Sequence, residues 1–398
     1  MLSRTKNDVV FDINRCVQCG TCLAACPNDA LSEVLREDGL WSIAQKREKC
    51  DRCFKCVAVC PAHSLPKKKV YRADLKNILQ LCLVHAEDQE VRRRSSSGGA
   101  ARVISSAVLE AGITDAVYSV AKAPEYPWAK GQLWKKPIDI SQMANSMYLP
   151  ILVNRNLDVV KKMHSILLIG TTCQLLAAEN LLKERCEHIF KVAIFCKQQK
   201  NIKSTFHMAR RLNQESFDMN SDTVEYRGGN WPGQVRIKGK AMKWEIAAAL
   251  PFGKRLWRVP GCRMCSNPFG KDSDLTLADP WGIDQAGGPG NTLTVVWTEK
   301  GRELLAVCKG KLNIKNIDKS LLPKSIIWRD ICRKRILADY YLDKKVSMNI
   351  RFAGRAERLQ TALFENLLER VSLPDILYKI MARLPDLPDF FLSHKTFV

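Results

Sequence analysis

The sequence has no apolar run long enough to cross a bilayer. Its longest, such as SILLIG at 165–170, stop far short of the roughly 20 residues that a spanning helix needs. The opening MLSRTKNDVVFD lacks the apolar core of a secretory signal, so the expected location is the cytoplasm. Acidic residues are scarce, 41 against 63 Lys and Arg, which leaves a formal charge of +22. That excess, with RRR at 92–94, raises nucleic-acid binding as a class, but no recognition motif accompanies it. What the chain does have is cysteine, sixteen in 398 residues. In a small secreted protein these would read as disulfides. In a cytoplasmic chain of this length, clusters at ligand spacing read as metal sites. A hydrophobic content of 46% with 26% charged residues is that of an ordinary globular protein, and the length predicts two or three domains.

Half of the cysteines fall in two matching stretches, CVQCGTCLAACPNDAL (16–31) and CDRCFKCVAVCPAHSL (50–65). Each spells C-x2-C-x2-C-x3-C-P. Three cysteines on a tight turn can hold three irons of a cubane, while the fourth points away and ligates the other cluster. The expected sets are therefore Cys16, Cys19, Cys22 and Cys60 for one 4Fe–4S cluster, and Cys50, Cys53, Cys56 and Cys26 for the other. Zinc favours two C-x2-C pairs and matches this spacing poorly. The matching tails suggest an internal duplication. Such a module carries electrons but does not name a substrate.

A quieter set follows. HSILLIGTTCQLLAAENLL (164–182) and KVAIFCKQQKNIKSTFHMARRL (191–212) each read as strand, cysteine turn and helix, which predicts an α/β layer with Cys173 and Cys196 at strand ends. VPGCRMCSNPFG adds Cys262 and Cys265. These four could hold a third cluster or be ordinary buried cysteines. Upstream, RRRSSSGGAARVISSAVLEAGI (92–113) reads as a glycine-rich loop feeding a helix, suited to a phosphate or simply a turn.

GTTCQ, IFC, EYRGGNWPGQVRI (225–237), GCRMC and SDLTLADPWG (273–282) resemble the coenzyme F420 hydrogenase/dehydrogenase beta-subunit family, over about residues 1–300. The resemblance implies an iron–sulfur flavoprotein that passes electrons between a deazaflavin or ferredoxin and its own substrate. It places Ser97, Gly98 and Gly99 against an FAD and makes Cys173, Cys196, Cys262 and Cys265 ligands of a third 4Fe–4S cluster beside the flavin. Asp279, Trp281 and Gly282 match the family's Gly-Asp-x-Trp-Gly element, with Ala278 in place of the first glycine. Thr172 stands where a proline is common. The NRNLD (154–158) and RGGNWPG (227–233) stretches, the latter with Asn230, are further candidates for the flavin or substrate pocket, and Trp231 reads either as a stack for a planar ring or as a core residue.

The expected architecture is mixed α+β and α/β. A bacterial-type two-cluster ferredoxin domain (1–70) is followed by a linker (71–91), an FAD-binding catalytic domain (92–330) and a helical C-terminal extension (331–398). Cubanes move one electron and a flavin two. The leading expectation is thus a reductase fed by ferredoxin. The alternative is a subunit that oxidises reduced coenzyme F420 and feeds a larger hydrogenase or dehydrogenase complex. Three clusters and one flavin, at roughly −2 each, would bring the charge to about +14, which still suits an acidic carrier. A basic surface kept for solubility would look the same. Proton-donor candidates are Tyr148, His164, Gln174, Gln198, His207, Asn230 and Asp279, with none singled out. In the tail, Leu359, Leu363, Leu367 and Val371 line one side of a helix, with Phe364 and Leu368 beside them. That pattern predicts packing against the domain or a partner subunit.

Overall fold

The computed structural model describes residues 2–4, 9–135, 139–283 and 288–392. The N-terminal module consists of two antiparallel pairs, β1 (Leu2–Arg4) with β2 (Val9–Phe11) and β3 (Leu31–Leu35) with β4 (Trp41–Gln45), and two single-turn helices, α1 (Thr21–Ala24) and α2 (Lys55–Ala58). Each helix starts just after a left-handed residue, Gly20 (φ 82°) or Phe54 (φ 57°), in the same place in the two cysteine stretches.

The body is built on one mixed eight-stranded sheet in the order β15-β5-β14-β13-β9-β8-β6-β7. Its centre is the parallel set β6 (Ala116–Lys122), β8 (Met163–Gly170), β9 (Cys186–Ile194) and β13 (Leu275–Ala278). Antiparallel strands complete it: β7 (Ala129–Trp134) on one edge, and β14 (Thr292–Val296), β5 (Gln80–Ala86) and β15 (Leu312–Asn316) on the other. The last six residues of β8, SILLIG, are all buried because the sheet is covered on both faces. On one face lie α4 (Ala100–Glu110), after the short α3 (Gln89–Arg94), and α8 (Glu299–Ala306); Ile104, Val108 and Leu304 pack there against Val84, Leu167 and Val192. On the other face α5 (Thr172–Leu182) sets Leu175 and Leu182 against Ile166 and Leu168.

The segment 71–91, expected as a linker, contains β5. Its QLCLVHA buries Leu81, Cys82, Val84 and Ala86 inside the sheet. The basic PKKK just before it hid a strand that has cover on both sides.

A second layer closes over the C-terminal ends of the parallel strands. It comprises α6 (Ile202–Arg211), the small sheet β10 (Val224–Glu225), β11 (Gln234–Ile237) and β12 (Lys240–Lys243), and α7 (Trp244–Gly253). The chain ends in α9 (Leu322–Ser325), α10 (Trp328–Tyr341), α11 (Met348–Arg370) and α12 (Asp375–Arg383). Leu359, Leu363, Leu367 and Val371 are all exposed, contrary to packing against the domain. The helix buries Ala353, Glu357, Gln360, Thr361 and Leu368 instead. Charge decides this orientation: the buried Glu357 carboxylate accepts from Arg255 Nε (2.8 Å), Arg258 (3.0 Å) and the Tyr341 hydroxyl. Burial alone would raise the Glu357 carboxyl, but Arg258 and Arg255 hold it well below the usual range. Beside them His207 of α6 packs between the rings of Trp257 and Tyr378. Burial, with Arg210 and Arg211 adding to it, holds its imidazole down at about 3.

Two predictions follow from this packing. Glu357→Gln leaves the buried Arg258 without its counter-charge and Arg255 with Asp386 alone, an expected cost of about 3–5 kcal/mol in denaturant unfolding; Leu363→Ala, on the exposed line, should cost under about 0.5 kcal/mol. A Glu357→Gln loss as small as that of Leu363→Ala would refute the assignment. His207 is neutral in the folded chain, whereas an unfolded imidazole takes up a proton below about 6.5. Its contribution is therefore intact above that pH and is lost as the pH falls. Between pH 6.5 and 5 the wild type should lose up to about 2 kcal/mol that His207→Phe does not lose. Parallel pH profiles for the two proteins would contradict this.

Candidate functional site

The crossing expected of the two opening stretches is present. Cys16, Cys19, Cys22 and Cys60 surround one small cavity, and Cys26, Cys50, Cys53 and Cys56 surround another. Backbone and hydroxyl donors point at the sulfurs: Gln18 N–H to Cys16 Sγ (3.3 Å), Thr21 Oγ1 to Cys19 Sγ (3.4 Å) and Ala30 N–H to Cys26 Sγ (3.2 Å). Burial pushes the Cys16 thiol up to about 12 and those of Cys19 and Cys56 to about 11. Four converging thiols, with a backbone N–H aimed at one sulfur of each set, are a donor set for a soft metal cluster, whose charge makes the thiolates stable. Gly20 is required here. A Cβ on it would lie 2.9 Å from the Leu152 carbonyl oxygen, where the module meets the body.

The third set also converges. Cys173 lies in the first turn of α5, directly after β8, and Cys196 two residues after β9. Cys262 and Cys265 come from the turn Pro260–Met264 and the residue following it. The four thiols act electrostatically on one another, and burial pushes Cys196 up to about 12 while Lys334 opposes it. This set touches the first. Cys19 and Cys60 share one apolar cluster with Cys173 and Cys265, filled by Leu65, Leu176 and Met264. Gly261 has no Cβ because one would fall 2.2 Å from the Cys16 carbonyl oxygen. The sets thus run in a line from the exposed Cys53 inward.

Cys196 also lines a half-open cavity of about 680 Å³ at the C-terminal ends of the parallel strands. That volume is in the range of cofactor pockets. One wall is the loop Ser95–Ser97 with the start of α4, whose N-cap Gly99 (φ 87°) makes no side-chain cap. The opposite wall is apolar and aromatic, with Ile169, Ile194, Phe195, Trp244 and Phe252. Gln198 and Gln199 reach it with side-chain oxygens that have no partner among the described residues. Arg102 is buried in the first turn of α4 and donates to the Met143 carbonyl and Asn145 Oδ1, both at 2.9 Å. At the far end Arg227, 1% exposed, donates to Asp279 (2.9 Å), the Tyr148 hydroxyl (3.1 Å) and the Ser96 carbonyl (2.8 Å). Helix-end N–H groups, a nearby guanidinium and a flat apolar slot suit a phosphate-bearing planar cofactor.

Of the residues singled out from sequence, Ser97, Gly99, Asp279, Trp281, Tyr148, Gln174 and Gln198 line this cavity. Gly98 sits behind the wall, its N–H on Thr292 Oγ1 (2.9 Å), and a Cβ there would meet the Val84 carbonyl at 2.3 Å. Ser97 donates its hydroxyl to the Asn291 carbonyl. Asn230 and Gly282 are exposed. Trp231 is buried against Trp281 (4.8 Å). His164 is exposed at the opposite end of β8, paired with Glu187 (2.8 Å). His207 lies in the C-terminal packing. NRNLD packs on the N-terminal module, where Asn154 binds Thr21 Oγ1 (2.9 Å) and the Gln174 carbonyl (2.8 Å). Sequence reasoning passed over Trp244 and Phe252, which carry no local signal; Arg227 and Arg102 lie inside the RGGNWPG and SSSGGAARVIS stretches but were not picked out within them.

Residues 8–61 match the description "4Fe-4S dicluster domain". Residues 82–158 match the N-terminal part of the "Coenzyme F420 hydrogenase/dehydrogenase" beta-subunit family, and residues 163–320 match the C-terminal part of the same family. Compared with the curated proteins, the sequence finds no match. Among solved structures, a chain of the xenon-derivatised F420-reducing NiFe hydrogenase complex from Methanosarcina barkeri is similar. It is 17% identical, with 71% of this chain and 93% of that chain covered and a TM-score of 0.48. The chain is an iron–sulfur electron-transfer protein that belongs to the coenzyme F420 hydrogenase/dehydrogenase beta-subunit family.

Proposed function

We propose that this chain is an iron–sulfur flavoprotein reductase, fed by a ferredoxin-type carrier at its N-terminal module and reducing an organic acceptor in the central cavity. The observation that carries this reading is the unbroken run of cysteine sets from exposed Cys53 to Cys196 in the cavity wall. Cys16, Cys19, Cys22 and Cys60 hold one cluster, Cys26, Cys50, Cys53 and Cys56 the second, and Cys173, Cys196, Cys262 and Cys265 the third. Bound there, the clusters supply single-electron passage and FAD supplies the conversion of single electrons into a pair.

The chain's own residues do the rest. The amides that open α4 and the Arg102 charge favour a pyrophosphate beside Ser97 and Gly99. Trp244, Phe252 and Ile194 exclude water around a flat ring. The Arg227–Asp279 pair fixes the cavity's far end, with Trp281 beside it. Tyr148 holds its proton at the phenol oxygen, because burial raises its pKa more than Arg227 lowers it. It is the proton-bearing group best placed to serve an acceptor. At the input end, Lys46, Lys49, Arg52 and Lys55 are exposed around the second set, a basic rim suited to an acidic carrier.

A second reading has one observation in its favour. Leu359, Leu363, Leu367, Ile376 and Ile380 are exposed along α11 and α12, as expected of a subunit within a larger complex that oxidises reduced coenzyme F420. Turnover by the isolated chain separates the two, since the reductase reading requires no partner subunit.

Purified without oxygen, the wild type should contain about 12 iron atoms and one flavin per chain, and Cys265→Ser about 8 iron atoms. A wild type with only about 8 would remove the third cluster, and one with no flavin would remove the flavoprotein reading. Gly99→Ala forces a side chain into a left-handed position at the helix start. It should weaken flavin retention about tenfold in an equilibrium titration, at unchanged iron content. Unchanged flavin affinity would take the loop out of the binding site.

A further inference from the structure

The charges around the three cysteine sets are not alike. A narrow pocket adjoining the main cavity is lined by Lys197, Arg255, Arg258, Arg263, Arg333 and Lys334, against only two carboxylates, Asp330 and Glu357. Most of these cations have acidic partners. Lys197 pairs with Asp330 (2.9 Å), Arg255 and Arg258 with Glu357, and Arg333 with Asp330, Asp386 and Asp389. Among the described residues, Lys334 and Arg263 have no carboxylate partner. Lys334 donates to the backbone carbonyl of Lys197, the residue that follows Cys196. Arg263 lies between Cys262 and Cys265, its Nε without a partner and its guanidinium 5.5 Å from the Tyr341 ring. Helix α10, which carries Lys334, packs directly on the turn that bears Cys262. Of the two cations left without an acid, Lys334 acts on both Cys196 and Cys262, where Arg258 joins it with its charge balanced by Glu357, and Arg263 lies in the turn between Cys262 and Cys265.

Among the described residues, the first set has no buried Lys or Arg hydrogen-bonded beside its sulfurs. Its sulfurs meet one another, backbone N–H groups and the Thr21 hydroxyl, within Leu65, Val17 and Leu176. The second set has Lys and Arg residues nearby, but they are exposed and screened by water and salt. A fixed cation in a dry site lowers the energy of an added electron far more than an exposed one does.

We propose that Lys334, supported by Arg263, makes the cluster held by Cys173, Cys196, Cys262 and Cys265 the most easily reduced of the three, which sets the direction of electron flow inward. The inference rests on the three-cluster reading above. In balance, two molecules of a reduced one-electron carrier of the ferredoxin class are each oxidised by one electron at the Cys53 end. The resulting pair is consumed with two protons by the acceptor in the cavity. Lys334 and Arg263 are positioning residues, since they act through the cluster and do not touch the acceptor.

The test is a redox titration followed by electron paramagnetic resonance on the anaerobically purified holoprotein. The transition missing from Cys265→Ser identifies the third cluster. It should lie at the highest potential of the three. Lys334→Gln, which keeps a donor for the Lys197 carbonyl, should shift it to lower potential and leave the other two in place. Lys334→Arg should restore it, and Lys345→Gln, an exposed charge beyond α10, should leave it unmoved. Arg263→Gln gives a second reading of the same shift should Lys334→Gln not fold. Three transitions with the third cluster lowest, or a Lys334→Gln protein with all three unmoved, would overturn this inference alone. Only two transitions in the wild type would overturn the three-cluster reading and this inference with it.

Discussion

The structure depends on one close contact: the backbone of the Cys16 stretch against the turn that carries Cys262 and Cys265. Gly261 leaves no side chain between the Cys16 carbonyl and that turn, and Gly20 does the same against Leu152. Around these contacts Leu65, Leu176 and Met264 exclude water from thiols of both the first and third sets. The same packing brings thiols of the first and third sets into one apolar cluster. Removing water strengthens electrostatic interactions at the third set.

The sheet supplies the other half of the arrangement. Parallel strands present their C-terminal ends on one side, and Cys173, Cys196, Gln198 and Asp279 all follow such ends. The N-terminal module docks beside that edge, and α6 and α7 cover it. The sulfur line and the cavity therefore meet at the end of β9. The price is a concentration of buried cations, held by Glu357, Asp330 and Asp386 from the C-terminal helices. Those helices bring charge inward along with Leu337 and Leu368, while Leu359, Leu363 and Leu367 of α11 point outward.

Legibility in the sequence followed locality. The two C-x2-C-x2-C-x3-C-P stretches could be read outright, because the ligand spacing and the crossed fourth cysteine are set within a few residues. SILLIG and KVAIF announced buried parallel strands for the same reason, and with them the strand-end positions of Cys173 and Cys196. The glycine-rich loop feeding α4 could be read from the 92–113 stretch. β5 was hidden by the lysines before it, since its cover comes from β14 and β15, more than 200 residues on. The pairing of Arg227 with Asp279 is likewise a long-range contact. So are Trp244 and Phe252, whose place in the wall depends on how α7 folds back over the sheet. The leucine line on α11 misled because periodicity gives a face but not the direction it points; a buried carboxylate opposite two arginines settled that instead.

The central claim is that electrons reach the cavity through the cysteine sets. Rapid mixing of the oxidised holoprotein with reduced ferredoxin, followed at cluster and flavin wavelengths, tests it most directly. The account predicts that cluster absorbance bleaches first and flavin absorbance follows, with reduced deazaflavin unable to replace ferredoxin. Flavin that bleaches while the clusters stay oxidised would contradict it.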